Sequence, residues 1–161
     1  YRGDAYGAFA WGAYVADVEV DLRTFMVRVR DFVAVQEIGR VLHETLARGQ
    51  IQGGVVQALG WALLEECKWA DGAMENAQLT NYIIPTTADV PPIRVDFLEA
   101  PYPHGAGGAK GIGELPFDGV APAVANAVAA ALGVDPTFVP LTPERLMDLT
   151  LQAAGSEGGA P

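Results

Sequence analysis

Residues 45–68 read TLARGQIQGGVVQALGWALLEECK, and the fold turns on how this stretch is read. Ile51, Val55, Leu59, Leu63 and Cys67 recur at every fourth position, the spacing of one buried helix face. This predicts a helix from about Thr45 to Lys68, with Cys67 in the core and Glu65, Glu66 and Lys68 at a solvated end. The same helix carries Gly49, Gly53, Gly54 and Gly60, although an interior glycine gives up about 1 kcal/mol relative to alanine. On a helical net Gln50, Gly53, Gly54, Gln57 and Trp61 share a second stripe. Glycines edged by carboxamides either accept tight packing from another element or let a ligand approach the backbone. Amides are costly to bury without polar partners, which supports the ligand reading. Both readings stand at this point.

Working outward, VADVEVD (15–21) and FMVRVRDFV (25–33) alternate with the period of half-buried strands. Folded as a hairpin about Leu22 and Arg23, the acidic face of the first meets Arg28 on the second. Downstream, AMENAQLTNYIIPTTADVPPI holds one short apolar run and three prolines, and reads as an extended connection. IRVDFLE (93–99) is a further strand. A glycine-rich loop spans 101–116, then a helix from Asp118 to Leu132 stops at Gly133. TFVPL (137–141) reads as a short strand, and a last helix runs from Thr142 or Pro143 to near Leu151. The expected fold is α+β: an N-terminal β-hairpin, a glycine-bearing central helix, further short strands and two C-terminal helices. One domain covers 1–153 and a disordered tail covers 154–161.

Composition narrows the function. Twenty Asp and Glu against ten Lys and Arg leave a net charge of −10, with no basic run to meet nucleic acid. A mean hydropathy of +0.19 is too apolar for disorder. The most apolar stretch, AVANAVAAALGV after Pro122, falls short of the roughly 20 residues of a membrane span. The single cysteine forbids an intrachain disulfide and any all-cysteine metal or iron–sulfur cage, and points to a reducing, cytoplasmic compartment. Tyr1 stands where an initiator methionine would, as expected of a processed or truncated chain.

A second stretch breaks local rules: HGAGGAKGIGELP, residues 104–116. Lys110 is followed by glycine, so this is not the phosphate loop of NTPases, and the GxGxxG dinucleotide pattern is absent. Successive glycines can present backbone N–H groups to an anion or polar ring, with Lys110 as counter-charge. Glu114 then projects from a stiff turn backed by Pro116. The alternative is a mobile loop tip with a solvated glutamate. His43 and His104 lack metal-ligand spacing, and the lone serine, Ser156, excludes a serine triad, so no protein metal ligands are expected.

Taken together, GDAYGAFAWGAYVADVEVD (3–21), GQIQGGVVQALGWALLEE (49–66), LTNYIIPTTADVPPI (79–93) and GAKGIGELP (108–116) resemble the molybdenum hydroxylases of the xanthine dehydrogenase and aldehyde oxidase family. The resemblance covers residues 4–150 and matches the C-terminal part of the molybdopterin-binding large subunit. Any one motif is weak, but four in order are specific. Leu115-Pro116 after the glutamate resembles bacterial purine-type or related small-heterocycle enzymes more than carbon monoxide dehydrogenases. One departure stands out: where many members have Asp-x-Gly-Arg and then Asn-Pro, this chain reads QEIGRVLHET (36–45), with His43 and Glu44 at the Asn-Pro positions.

The resemblance implies a molybdenum-dependent oxidoreductase that hydroxylates a purine-like heterocycle or an aldehyde with oxygen from water. Glu114 takes the role of catalytic base. Gln50 with Gly53 and Gly54 meets the pterin, and Lys110, Gly111, Ile112 and Gly113 border the molybdenum centre. The pterin dithiolene holds the metal, which suits a chain without a ligand cluster. The cofactor is molybdenum-molybdopterin, with the cytosine dinucleotide form as one option. The [2Fe-2S] and FAD groups, and the rest of the molybdopterin-binding subunit, belong to partner chains or segments. Alone, the chain should expose apolar surface and self-associate. Two readings compete: a non-catalytic assembly domain that keeps the fold, and a metal-free small-ligand-binding domain.

Overall fold

The computed structural model describes residue 3 and residues 6–157. Two long strands, β1 (Trp11–Val20) and β2 (Val27–Glu37), form the expected antiparallel hairpin. Glu19 lies opposite Arg28 in register and pairs with Arg30 at 3.1 Å. Opposite Asp17 and Val18 the register slips, leaving Arg30 as an extra residue between Val29 and Asp31. A bulge of this kind reverses the side-chain alternation. Val27 and Val29 point into the core before it, and Phe32, Ala34 and Gln36 after it.

Helix α1 (Glu44–Leu63) follows, begun by His43, whose Nδ1 accepts from Leu46 N at 3.3 Å. Ile51, Val55 and Leu59 are buried as the spacing predicts, with Ala58 beside them. The helix ends before Cys67, however, and this corrects the expectation that Cys67 is a core residue: it is exposed. Gly60 O accepts from both Leu64 N and Glu65 N, closing the last turn and sending the chain outward. The connection that follows holds only a two-residue pair, β3 (Trp69–Ala70) and β4 (Ala73–Met74). Its Tyr82 and Pro85 dock on the end of α1. Tyr82 donates to Glu65 Oε2 at 2.8 Å, which pushes the phenol up to about 12. Pro85 lies where a Cβ on Gly60 would come within 2.7 Å. Gly60 therefore exists for packing.

Strand β5 (Ile93–Leu98) joins β2 in parallel, giving the sheet order β1-β2-β5. A short helix α2 (Leu115–Asp118) precedes the expected helix, α3 (Val120–Leu132), which Gly133 ends in the left-handed conformation at φ 71°. Together, Leu115–Leu132 form one 18-residue run apolar enough by length and composition to cross a bilayer. In this fold Val120, Val124 and Val128 are fully buried against α1 and the sheet, as in a core helix.

Residues 137–141 do not form the expected strand. Pro140 has no N–H for a ladder, and Leu141 N donates instead to Ala62 O of α1 at 2.7 Å. The last helix, α4 (Pro143–Glu157), is longer than predicted, so residues 154–157 are helical rather than tail. Residues 158–161 lie outside the described residues. The core gathers Phe32, Ile51, Val55, Val95, Val120, Val124, Val128, Leu141 and Leu146 between the helices and one sheet face. On the other face Trp11 and Val15 of β1 and Leu98 of β5 are exposed, in keeping with the expected bare apolar surface.

Candidate functional site

The two glycine-bearing stretches meet. A Cβ on Gly54 would come within 2.6 Å of the Pro116 ring, so α2 sits directly on α1. Trp61 and Phe117 continue this contact with ring centroids 5.6 Å apart. Gln50 lies four residues before Gly54, about 6 Å along the axis. Glu114 lies two residues before Pro116, at most about 7 Å of chain. Gln50 and Glu114 therefore each lie within a few residues of the contact between Gly54 and Pro116.

The glycines divide into two kinds there. Gly54 is buried under Pro116 and Gly60 under Pro85, which is tight packing. Gly54, expected to meet a cofactor, is thus closed to one. At Gly49 and Gly53 on α1, and at Gly111 and Gly113 on the loop, a Cβ would meet nothing within 4 Å. They are exposed, together with Gln50 and Glu114, while Ile112 is half-buried. Among the described residues the main-chain N–H groups of Gly111, Ile112 and Gly113 make no hydrogen bond, and the Glu114 carboxylate has neither hydrogen bond nor ion pair.

This contrast gives a stability test. Gly54→Ala is expected to destabilise by about 1–3 kcal/mol through overpacking. Gly53→Ala should be neutral or stabilise by up to about 1 kcal/mol, because the added methyl meets open space. Urea unfolding midpoints of the two variants decide it.

The loop that carries Glu114 hangs from the end of β2. Arg40 N donates to Gly108 O and Lys110 N to Ile38 O, both at 2.8 Å. Gly39 allows this approach: its φ is 75°, and a Cβ there would collide with the Gly108 carbonyl. Lys110 does not stand free as the expected counter-charge. Its Nζ bonds Glu37 Oε2 at 2.5 Å and Phe9 O at 2.7 Å, with only 12 % of its side chain exposed. Burial pushes the Glu37 carboxyl up, but the hydrogen bond from Lys110, the Gly39 N–H and the Lys110 charge outweigh it and hold the group below its usual range. Lys110 thus fastens the loop, and Gly111 to Gly113 face outward beyond it.

Three residues at this end of the sheet escaped the sequence reading: Tyr14, Gln36 and Glu37. Gln36 is fully buried, and its Nε2 has no partner. Tyr14 is half-buried on the core face of β1 and donates to the main-chain oxygen of Leu115, with Gln36 Oε1 at 3.5 Å. Its ring fills the space that a side chain at position 119 would need. The usable signal was the alternation itself, which reaches Gln36 only once the bulge at Arg30 is counted.

Residues 1–91 match the family model described as a molybdopterin cofactor-binding domain. The xanthine dehydrogenase molybdenum-binding subunit of Escherichia coli O157:H7 is 38 % identical over 86 % of this chain and 19 % of its own length. The chain belongs to the molybdopterin-binding family of the molybdenum hydroxylases. The aldehyde oxidoreductase molybdenum-binding subunit of the same organism is 36 % identical over 89 % of this chain and 20 % of its own. Among solved structures, quinoline 2-oxidoreductase from Pseudomonas putida 86 superposes with a TM-score of 0.83 at 42 % identity, covering 88 % of this chain and 19 % of that one. The chain therefore spans about a fifth of the length of these relatives.

The residues present fit the family's cofactor. A pterin is a flat heterocycle rich in donors and acceptors, and the open glycines leave backbone that no side chain shields. Gln50 offers a carboxamide, and the unengaged N–H groups of Gly111, Ile112 and Gly113 offer donors. Among the described residues no cluster of three or more His, Cys, Asp or Glu could hold a metal ion.

Proposed function

We propose that this chain supplies the catalytic base and one wall of the molybdopterin site in an enzyme that hydroxylates a purine-like heterocycle or an aldehyde with oxygen from water. The reading is supported by the packing of Pro116 on Gly54, which joins the stretches that carry Glu114 and Gln50, beside glycines that nothing among the described residues covers. When bound, the molybdenum cofactor supplies the two-electron oxidation. Gln50 hydrogen-bonds the pterin, Gly53 lets it approach α1, and Gly111, Ile112 and Gly113 border the metal end. Glu114, unpaired among the described residues, accepts a proton from the oxygen that attacks the substrate.

The remainder of the molybdopterin-binding subunit closes the site from the other side, consistent with relatives about five times as long. Iron–sulfur and flavin groups on partner chains carry electrons away, and the pterin carries a cytosine nucleotide in one form of this reading. The single, exposed cysteine suits a cytoplasmic setting.

The experiment is metal and pterin analysis of the complete molybdenum-binding subunit carrying this chain, expressed with its partner subunits. Molybdenum in the wild type, retained in Glu114→Gln with turnover lost, supports the reading. No molybdenum, or full turnover in Glu114→Gln, overturns it in favour of an assembly domain or a metal-free binding domain.

A further inference from the structure

We propose that Tyr14, supported by Gln36, is a positioning residue that fixes the direction of Glu114; this rests on the role assigned to Glu114 above. The Glu114 side chain has no partner among the described residues, so its direction is set by its backbone. That backbone is a short turn held at three points. Pro116 rests on Gly54, Phe117 N donates to Glu114 O at 2.9 Å, and the Tyr14 hydroxyl donates to Leu115 O, the carbonyl next after Glu114. Tyr14 makes the one side-chain hydrogen bond to residues 111–119 found among the described residues. Its ring lies across Gly119, so the hydroxyl cannot swing away without unpacking the start of α3.

Gln36 completes the arrangement. A phenol has one proton, and the closer partner, Leu115 O, takes it. Gln36 then serves best with its amide donor turned to the phenol oxygen, 3.5 Å away. That orientation gives the fully buried Nε2 the partner it lacks. The chain of bonds runs from Gln36 to Tyr14 to Leu115. Burial raises the Tyr14 phenol above its ordinary range, the Asp118 charge adds to this, and the Gln36 bond only partly opposes it. The hydroxyl is therefore a neutral donor across any working pH. The Leu115–Pro116 peptide lacks an N–H, so its carbonyl is the handle that this peptide group offers.

Catalytic geometry is sensitive to small displacements of this kind. In the complete enzyme Tyr14→Phe, which keeps the ring and removes the bond, is expected to lower kcat about tenfold with KM changed less than twofold. Gln36→Met should give a smaller loss in the same direction. On a Glu114→Gln background, Tyr14→Phe should produce no further loss, because there is no base left to aim. A second readout needs no turnover: hydrogen exchange in the 111–119 peptide should quicken several-fold in Tyr14→Phe while peptides from α1 and β2 stay unchanged. Should Tyr14→Phe fold poorly, Gln36→Met carries the same pair of measurements. Unchanged exchange and unchanged kcat, in an enzyme that Glu114→Gln inactivates, overturn the positioning role alone. A loss in KM rather than kcat, or full additivity with Glu114→Gln, also overturns it. Full turnover in Glu114→Gln overturns the reading of Glu114, while local loosening in Tyr14→Phe reports on the turn independently.

Discussion

Glu114→Gln is expected to lower kcat by about 10²- to 10⁴-fold while leaving molybdenum content and unfolding midpoint at wild-type values. Glutamine keeps the size and hydrogen-bonding reach of glutamate but cannot take a proton. The structure makes this a clean substitution. The carboxylate is exposed and pairs with nothing among the described residues, so its charge holds no part of the fold together. A surface change of this kind costs the fold within about 0.5 kcal/mol. The surface proposed to meet the pterin, Gln50, Gly53 and the N–H groups of Gly111 to Gly113, is untouched. Molybdenum analysis, unfolding midpoint and steady-state kinetics on one preparation check all three statements. Restored turnover at high pH would not be expected, because the missing element is an acceptor rather than a protonation state.

The separate behaviours of the glycines show how far local sequence could carry the reading. Helix α1 was legible from its fourfold spacing, and the hairpin from its alternation, because both are set by local burial. The ends were not legible. Cys67 continues the periodicity of α1 on paper, but the chain has already left the helix after Leu63, one turn past the Gly60 backbone that Pro85 and Glu65 crowd. TFVPL has strand composition, yet its main chain binds Ala62 O of α1 in place of a sheet edge. In the site, glycines at 53 and 54 look alike in sequence and differ in three dimensions. One is open, while the other lies beneath a proline 62 positions later. That pairing depends on tertiary contact and has no local signature. Lys110 is the same case: a cation in a glycine-rich loop invites an anion, and its anion proved to be Glu37.

Lys110→Met is expected to destabilise the chain by about 3–5 kcal/mol, the cost of leaving a buried charge without its partner. The Glu37 side chain is 10 % exposed and would keep only the Gly39 N–H, at 2.6 Å, out of its present bonds. Replacing both residues, as Lys110→Met with Glu37→Gln, should cost less than the single change: the glutamine oxygen still accepts from Gly39 and no charge is stranded. The pH dependence follows from the direction of the Glu37 shift. Its carboxyl is lowered in the folded protein by Lys110 and Gly39 against the opposing push of burial. The stabilisation is therefore complete above the ordinary glutamate range, near pH 4.3, and is lost as the pH falls through the lower folded value. In Lys110→Met burial is opposed by one hydrogen bond alone, and the variant is relieved when Glu37 takes up a proton. The gap between wild type and variant should then narrow between about pH 7 and pH 4, read as urea midpoints. A gap that stays constant would mean that Lys110 acts through its bond to Phe9 O rather than through Glu37. Because the same ion pair anchors Gly108 to Lys110 at the end of β2, the unprotected loop should also release the Glu114 turn. The stability loss is thus expected to come with a fall in turnover that the double variant partly restores.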